Sequence, residues 1–317
     1  MHSVILDADS LGKDISLEPL KLAAGLLTVY GNTRQDAVDE RIAGADIVIV
    51  NKVKLDEAHF ARCPSLKLVA VTATGTNNIA LEAAKTHGVT VRNVVHYGTP
   101  TIVQHVFSMI LALSNRLLDY HRDVSKGLWN KSSTFCLMDY PIRELAGLKA
   151  GIIGYGELGK AVAAVARAFG MEVIIGARPG STTGHRNGVD YLPLRQVLVE
   201  ADVVSLHCLL SKQTQNMIDA DALAVMKQDA LLINTARGGL VDERALAEAL
   251  KNRQLGGAGF DVLTEEPPVN GNVLLNHGIP NLIVTPHCAW ASMQARQRLI
   301  DATADNIRRF IAEQAQN

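Results

Sequence analysis

Apolar residues fall in short runs over the N-terminal third of the chain, at positions 4–6, 45–50, 66–72 and 89–94, with helical patterns between them. Runs of this length alternating with helices predict a small α/β domain. Thr99 then caps a helix with Pro100 in its first turn, and the apolar stretch over 102–118 is long enough for about five turns. The crossing between domains is expected there. From Lys149 onward, apolar strands are predicted near residues 150, 173, 203, 231, 258 and 283, separated by helical segments such as 158–169 and 243–251. That regular alternation predicts a doubly wound parallel sheet. Beyond Ala291, the residues Ile300, Ala304, Ile307 and Ile311 recur at helical spacing, the apolar stripe of a helix that returns to the first domain. The expected division is residues 1–99 plus 288–317 as one domain and 100–287 as the other. Residues 119–148 carry Tyr120, Trp129, Phe135 and Tyr140 without a strand or helix period; an inter-subunit arm and a surface excursion packed on its own domain both fit.

The composition agrees with a folded, two-domain chain. Of 317 residues, 48% are hydrophobic and 20% charged, far from the polar bias of a disordered protein. Lys plus Arg (31) nearly cancel Asp plus Glu (32), so no net field would hold nucleic acid or an acidic membrane. A small-molecule partner is expected instead. Cys63, Cys136, Cys208 and Cys288 are scattered and form no CxxC pair, which points to reduced thiols in a cytoplasmic protein and to no metal site. The N-terminal MHSVILDADS lacks a basic patch before an apolar stretch, and no run long enough to span a membrane follows it.

The densest chemistry begins at Gly151, where an apolar strand runs through Gly154, Gly156 and Gly159 into an alanine-rich helix. This GxGxxG turn is in the strand-to-helix context that a dinucleotide site requires. Gly154 permits the tight turn, Gly156 admits a pyrophosphate close to the backbone, and Gly159 lets the helix pack closely. Glu157 and Leu158 open that helix, whose free N–H groups suit phosphate oxygens. The next strand ends at Ala177, 18 residues after Gly159, where an NAD site normally places an acid to hold the ribose diol. An acid there repels a 2′-phosphate; Ala177 removes that repulsion, and Arg178, Ser181 and Thr182 add donors. The cofactor is read as NAD(P)(H) with a slight preference for NADP(H), the alternative being that Arg178 stacks on adenine in an NAD enzyme.

Three further residues sit at predicted strand ends: Arg237 in Asn234-Thr-Ala-Arg-Gly-Gly239, Glu266 in Asp261-Val-Leu-Thr-Glu-Glu-Pro267, and His287 in Thr285-Pro-His-Cys-Ala-Trp290. A guanidinium to grip a carboxylate, an imidazole acid/base and a carboxylate to hold that imidazole are the parts needed to reduce an α-keto acid. Singly, each residue is ordinary. Together, at intervals of 29 and 21 residues, they resemble the D-isomer-specific 2-hydroxyacid dehydrogenase family, and the likeness covers essentially the whole chain. The NTARG, GFDV-to-Glu-Pro and PH segments carry it, and the Gly75-Thr-Asn-Asn-Ile79, Tyr97–His105 and His287–Trp290 segments look most like glycerate dehydrogenases, also called hydroxypyruvate reductases.

The resemblance implies a Rossmann-type sheet inserted into a smaller flavodoxin-like substrate domain, and a homodimer joined through the helix at Ile102 and the 119–148 arm. It implies cofactor contacts at Gly156, Glu157, Leu158, Arg178, His207, Cys208, Thr214, Thr235, Ala236, Arg237, Asp261 and His287, with Asp261 near the nicotinamide amide. It also implies that backbone N–H groups of Gly75 and Thr76, in the loop opened by Thr74, bind the substrate carboxylate together with Arg237. Protonated His287, favoured by Glu266, would donate to the carbonyl oxygen, so reduction should lose rate as pH rises and oxidation should gain. His96, His105, His121 and His277 are read as structural. Leu209 after His-Cys, Cys288 after the catalytic histidine and Ala177 depart from the family pattern. A D-lactate-type enzyme, a formate or phosphite dehydrogenase and a dinucleotide-sensing corepressor are the alternatives; Glu266 argues against formate, because formate dehydrogenases of this fold pair glutamine with the histidine.

Overall fold

The computed structural model describes residues 1–316. Its contacts fall into two compact units: Met1–Gly98 together with the chain from Trp290, and Thr99–Ala289 between them.

The first unit alternates strand and helix: β1 (His2–Ile5), α1 (Glu18–Ala24), β2 (Leu26–Val29), α2 (Val38–Ile42), β3 (Ile47–Val50), α3 (Glu57–Arg62), β4 (Leu68–Val71), α4 (Leu81–Thr86) and β5 (Thr90–Arg92). The strands form one parallel sheet in the order β2-β1-β3-β4-β5, a flavodoxin-like winding. Side chains alternate between two buried faces, which is why β3 and β4 read as continuous apolar runs. Val4, Val48, Val50 and Val69 pack with Phe60 on one face. Ile5, Ile47, Ile49 and Leu68 pack on the other against Leu299, Ile300, Ile307 and Phe310 of the last helix of the chain, Met293–Gln314. That helix is the stripe read from the sequence, lengthened at both ends. Strand β2 was not foreseen: it is an edge strand whose Leu26 is mostly exposed, so it lacks the apolar run that marks the buried strands.

In chain order the second unit comprises α5 (Thr99–Ser114), α6 (Leu117–Ser125), β6 (Lys149–Ile153), α7 (Glu157–Ala168), β7 (Glu172–Gly176), β8 (Gly184–Arg186), β9 (Val189–Leu192) and α8 (Leu194–Glu200). It continues with β10 (Val203–Leu206), α9 (Ala220–Ala224), β11 (Leu231–Asn234), α10 (Glu243–Lys251), β12 (Gly257–Phe260) and β13 (Leu282–Val284), which makes the last helix of the chain α11. The sheet order is β13-β12-β11-β10-β6-β7-β9-β8, all parallel except the β8–β9 hairpin. Strand order reverses between β6 and β10, and the crevice beyond the carboxyl ends of those strands is where ligands bind in such sheets. The hairpin was also missed, although its turn, Asn187-Gly188, has positive φ at both residues and is a strong hairpin signal.

The five-turn helix expected over 102–118 is broken. Helix α5 buries Val106, Phe107, Met109 and Ile110 in the core, then Arg116 turns left-handed (φ 53°) and α6 departs at 61°. Arg116 Nε donates to Asp119 Oδ2 (2.7 Å), and Ser114 C=O accepts from Arg143 N–H (3.1 Å), which together fix the corner. Residues 119–148 therefore begin as helix. The rest folds back on itself: Tyr120 Oη donates to Tyr140 C=O (2.8 Å), Tyr140 Oη to Asp123 (2.7 Å), and Trp129 Nε1 to Phe135 C=O (2.8 Å). Among the described residues, no single helix is long and apolar enough to cross a membrane.

Candidate active site

The glycine turn lies at the strand-order reversal. Gly154 has φ +97°, and a Cβ there would stand 2.6 Å from the His207 carbonyl carbon and 2.7 Å from Cys208 N, so the turn presses against the end of β10. A Cβ on Gly159 would meet the Gly154 carbonyl oxygen at 2.1 Å, which fixes how closely α7 approaches the strand. At Gly156, by contrast, a Cβ would touch nothing within 4 Å: the backbone faces open space at the helix N-terminus, where Glu157 and Leu158 begin α7. Glu157 also accepts a bond from Thr99 Oγ1.

A cavity of about 270 Å³ opens beside this turn, lined by Gly154, Tyr155, Gly156, Gly176, Arg178, Ser181, Arg186, Tyr191, His207, Cys208 and Leu209. Burial pushes the His207 imidazole down to about 4, so it is neutral, with Nε2 2.9 Å from Ser205 Oγ. Burial likewise pushes the Cys208 thiol up to about 11. Two buried polar atoms on this edge, His207 Nδ1 and Thr235 Oγ1, have no partner in the protein. Open backbone at Gly156 and these two atoms fit a bound dinucleotide, which would satisfy them. Thr214 is fully buried, its hydroxyl donating to Leu209 C=O (2.7 Å) and accepting from Ser211 N–H (2.8 Å); it shapes the loop rather than lining the cavity.

Three adjacent strands deliver the other residues. Thr235, Ala236 and Arg237 follow β11, Asp261 and Glu266 follow β12, and His287 follows β13. His287 Nδ1 lies 2.6 Å from Glu266 Oε2, while Glu266 Oε1 accepts from Leu263 N–H (2.8 Å). The carboxylate thus spans its own loop and the imidazole. Arg237 Nη1 donates to Ala236 C=O (2.7 Å), and Asn234 braces the turn by donating to Arg237 C=O and accepting from Ala236 N–H. Gly238, which the sequence reading passed over, is what lets the Arg237 turn meet the Glu266 loop: a Cβ there would lie 2.0 Å from the Leu263 carbonyl carbon.

Asp261 ties these loops together. Its Oδ1 accepts from Thr285 Oγ1 (2.5 Å) and Cys288 N–H (2.9 Å), its Oδ2 from Ala289 N–H (2.8 Å), and its C=O from His287 N–H (2.8 Å). His105 Nε2 joins from α5, 3.0 Å from Thr285 Oγ1. Burial and the Asp261 carboxylate raise the Cys288 thiol above its ordinary value. His105, Asp261 and Cys288 each bring one candidate metal-ligand atom within 4.8 Å of the others, but Thr285, Cys288 and Ala289 already satisfy the Asp261 oxygens, so its buried charge requires no cation.

In the first unit, Thr74 Oγ1 donates to Val94 C=O (2.9 Å), and Asn78 Nδ2 donates to Val53 C=O (2.9 Å), holding both ends of the loop after β4. Among the described residues, the N–H groups of Gly75 and Thr76 between them have no acceptor.

A doubly wound sheet with a dinucleotide turn at its order reversal, and an imidazole–carboxylate pair with an arginine along the same edge, defines a nicotinamide-dependent dehydrogenase. The model of the D-isomer specific 2-hydroxyacid dehydrogenase NAD binding domain matches residues 107–289. A glycerate dehydrogenase from Methylorubrum extorquens is 46% identical over 314 residues, covering 99% of this chain and 97% of its own length. A hydroxypyruvate reductase from Blautia hydrogenotrophica is 34% identical, covering 98% of this chain and 97% of its own. The solved NADPH-dependent glyoxylate/hydroxypyruvate reductase from Sinorhizobium meliloti, in complex with citrate, superposes with a TM-score of 0.82 at 25% identity, covering 98% of this chain and 95% of that one. The chain belongs to the D-isomer specific 2-hydroxyacid dehydrogenase family. It is an NAD(P)-dependent oxidoreductase acting at a CH–OH group.

Proposed function

We propose that the chain reduces hydroxypyruvate and glyoxylate, forming D-glycerate and glycolate, with a preference for NADPH. The observation that carries this is the His287–Glu266 contact of 2.6 Å, on the sheet edge that also bears Arg237 and the glycine turn. Hydride comes from the dihydronicotinamide when that cofactor is bound. Glu266 holds Nδ1 of His287, which assigns proton exchange with the substrate oxygen to Nε2. In reduction, imidazolium gives this proton to the carbonyl oxygen as the carbon gains hydride; in oxidation the neutral ring takes it back. Arg237 carries the fixed positive charge that pairs with the substrate carboxylate, and Gly75 and Thr76 offer backbone N–H donors for the same kind of group. Thr74 positions that loop.

The NADPH preference is supported by Ala177 at the end of β7, followed by Arg178. A homodimer formed through the segment after α5 is supported by its apolar surface: Phe135 is 89% and Met138 82% exposed, with Leu117, Leu118 and Trp129 exposed nearby. Four unpaired cysteines favour a cytoplasmic setting.

Initial rates with hydroxypyruvate, glyoxylate and pyruvate, each with NADH and NADPH, test the reading. The highest kcat/KM is expected with hydroxypyruvate or glyoxylate and NADPH. A clear preference for pyruvate would make this a D-lactate-type enzyme, and no turnover with any of them would sink the reductase reading.

A further inference from the structure

The β8–β9 hairpin stands at the carboxyl end of β7, and its strand β9 pairs with that end through Ile175↔Tyr191 and Gly176↔Leu192. This brings Arg186 and Tyr191 to the wall of the cavity that also holds Arg178 and Ser181. The arrangement is specific to the hairpin register. Gly184 is paired opposite Tyr191, so the β8 position directly across from the tyrosine carries no side chain, and Arg186, two residues further along β8, lies over the ring with its guanidinium carbon 3.8 Å from the centroid. Arg186 Nη1 also donates to Thr182 Oγ1 (3.2 Å). A planar guanidinium stacked on a ring keeps its in-plane N–H groups available to an oxyanion while losing little freedom on binding. The cavity wall carries two guanidinium groups and no carboxylate.

The pyrophosphate of a dinucleotide belongs at the α7 N-terminus, next to Gly156, and needs neither arginine. A second anion is what the two guanidinium groups suit. We infer that Arg186, held on Tyr191, forms with Arg178 a cleft for the 2′-phosphate of the adenosine ribose, which makes the hairpin the element that selects NADP(H). The inference rests on the NADPH reading above and names the residues that would produce it. His185 and Asp190 contact each other on the hairpin, Nδ1 2.7 Å from Oδ1, and neither lines the cavity.

The test is titration calorimetry of the full-length protein with adenosine 2′,5′-bisphosphate and with 5′-AMP, alongside the ratio of kcat/KM for NADPH over NADH. The wild type should bind the bisphosphate more tightly, and Arg186→Ala should reduce both that preference and the coenzyme ratio about tenfold. Tyr191→Phe keeps the ring and should retain the preference, whereas Tyr191→Ala should lose part of it; thermal unfolding of each variant checks that the hairpin remains folded. If the wild type binds 5′-AMP as tightly as the bisphosphate, the NADPH reading fails and this inference with it. If the wild type prefers the bisphosphate and Arg186→Ala keeps that preference in full, the hairpin is not the selector, and the NADPH reading stands on Arg178 alone.

Discussion

Replacing Gly238 by alanine isolates the packing that sets the His287–Glu266 contact, the centre of the proposed mechanism. Gly238 opens a 3-10 turn (Gly238–Leu240) and its φ is not positive, so alanine is conformationally acceptable and the effect is steric. The new methyl would lie 2.0 Å from the Leu263 carbonyl carbon and 2.3 Å from Thr264 N. Carbon pairs relax near 3.5 Å, so the Leu263–Thr264 backbone must retreat by about 1.5 Å. That backbone cannot move alone, because Leu263 N–H holds Glu266 Oε1 and Glu266 Oε2 holds the imidazole at 2.6 Å. A displacement of ~1 Å at a reacting group costs about a hundredfold in rate, or ~2.7 kcal/mol of barrier. The neighbouring Gly239→Ala is the control: its methyl would meet only the flexible Leu210 side chain, at 3.1 Å, and kcat/KM should change by no more than about twofold. Steady-state kinetics with hydroxypyruvate, with melting temperatures to confirm folding, decide the matter. Equal losses in the two variants, or a folded Gly238→Ala enzyme within threefold of wild type, would refute the reasoning.

The remaining predictions concern chemistry, stability and assembly. His287→Gln should lower turnover by about 10²–10⁴-fold while quenching of protein fluorescence by NADPH survives; near-normal turnover would remove His287 from the acid/base role. Asp202 is buried, and although burial raises its carboxyl, Lys149 N–H, Lys227 and Arg143 outweigh that and hold it below the ordinary value. Asp202→Asn should destabilise by ~3 kcal/mol, a drop of roughly 6–12 °C in Tm. Because the folded-state carboxyl is depressed, the difference between wild type and variant should be full at neutral pH and shrink as pH falls below about 4; a gap independent of pH would count against the ion network. Phe135→Glu combined with Met138→Glu should convert a dimer to a monomer in sedimentation velocity, and a wild type that sediments as a monomer would leave the apolar arm without this explanation.

What was legible in the sequence was what the chain settles locally or buries on both sides. Strands β3, β4, β10 and β11 have every residue buried, so their apolar runs stand out. The glycine turn is set by residues adjacent in the chain. Edge strand β2 and the β8–β9 hairpin are half exposed and carry weaker patterns, although Asn187-Gly188 marked the hairpin turn. The break between α5 and α6 depends on Arg143 reaching back to Ser114, a partner that spacing along the helix does not reveal. Gly238 was overlooked for a related reason: the backbone it accommodates is Leu263, 25 residues on, brought close only because β11 and β12 are neighbours.

That neighbourhood explains how three residues spread over 51 positions can form the one site proposed above. Consecutive parallel strands end at one edge of the sheet, so the pairing of β11 with β12 and of β12 with β13 brings Arg237, Glu266 and His287 to that edge. Strand pairing alone leaves the loops free to vary, and Asp261 removes much of that freedom. Standing immediately after β12, it accepts bonds from Thr285, Cys288 and Ala289 beyond β13, and its carbonyl takes the His287 N–H. His287 has φ 52°, a left-handed conformation that costs a non-glycine residue of order 1 kcal/mol and persists only where its surroundings enforce it. The bonds to Asp261 enforce it here, in the same residue whose imidazole Nδ1 lies 2.6 Å from Glu266 Oε2. The Asp261 carboxylate therefore fixes the backbone that carries His287, and the geometry on which the proposed mechanism depends is built into main-chain hydrogen bonds as much as into the three side chains.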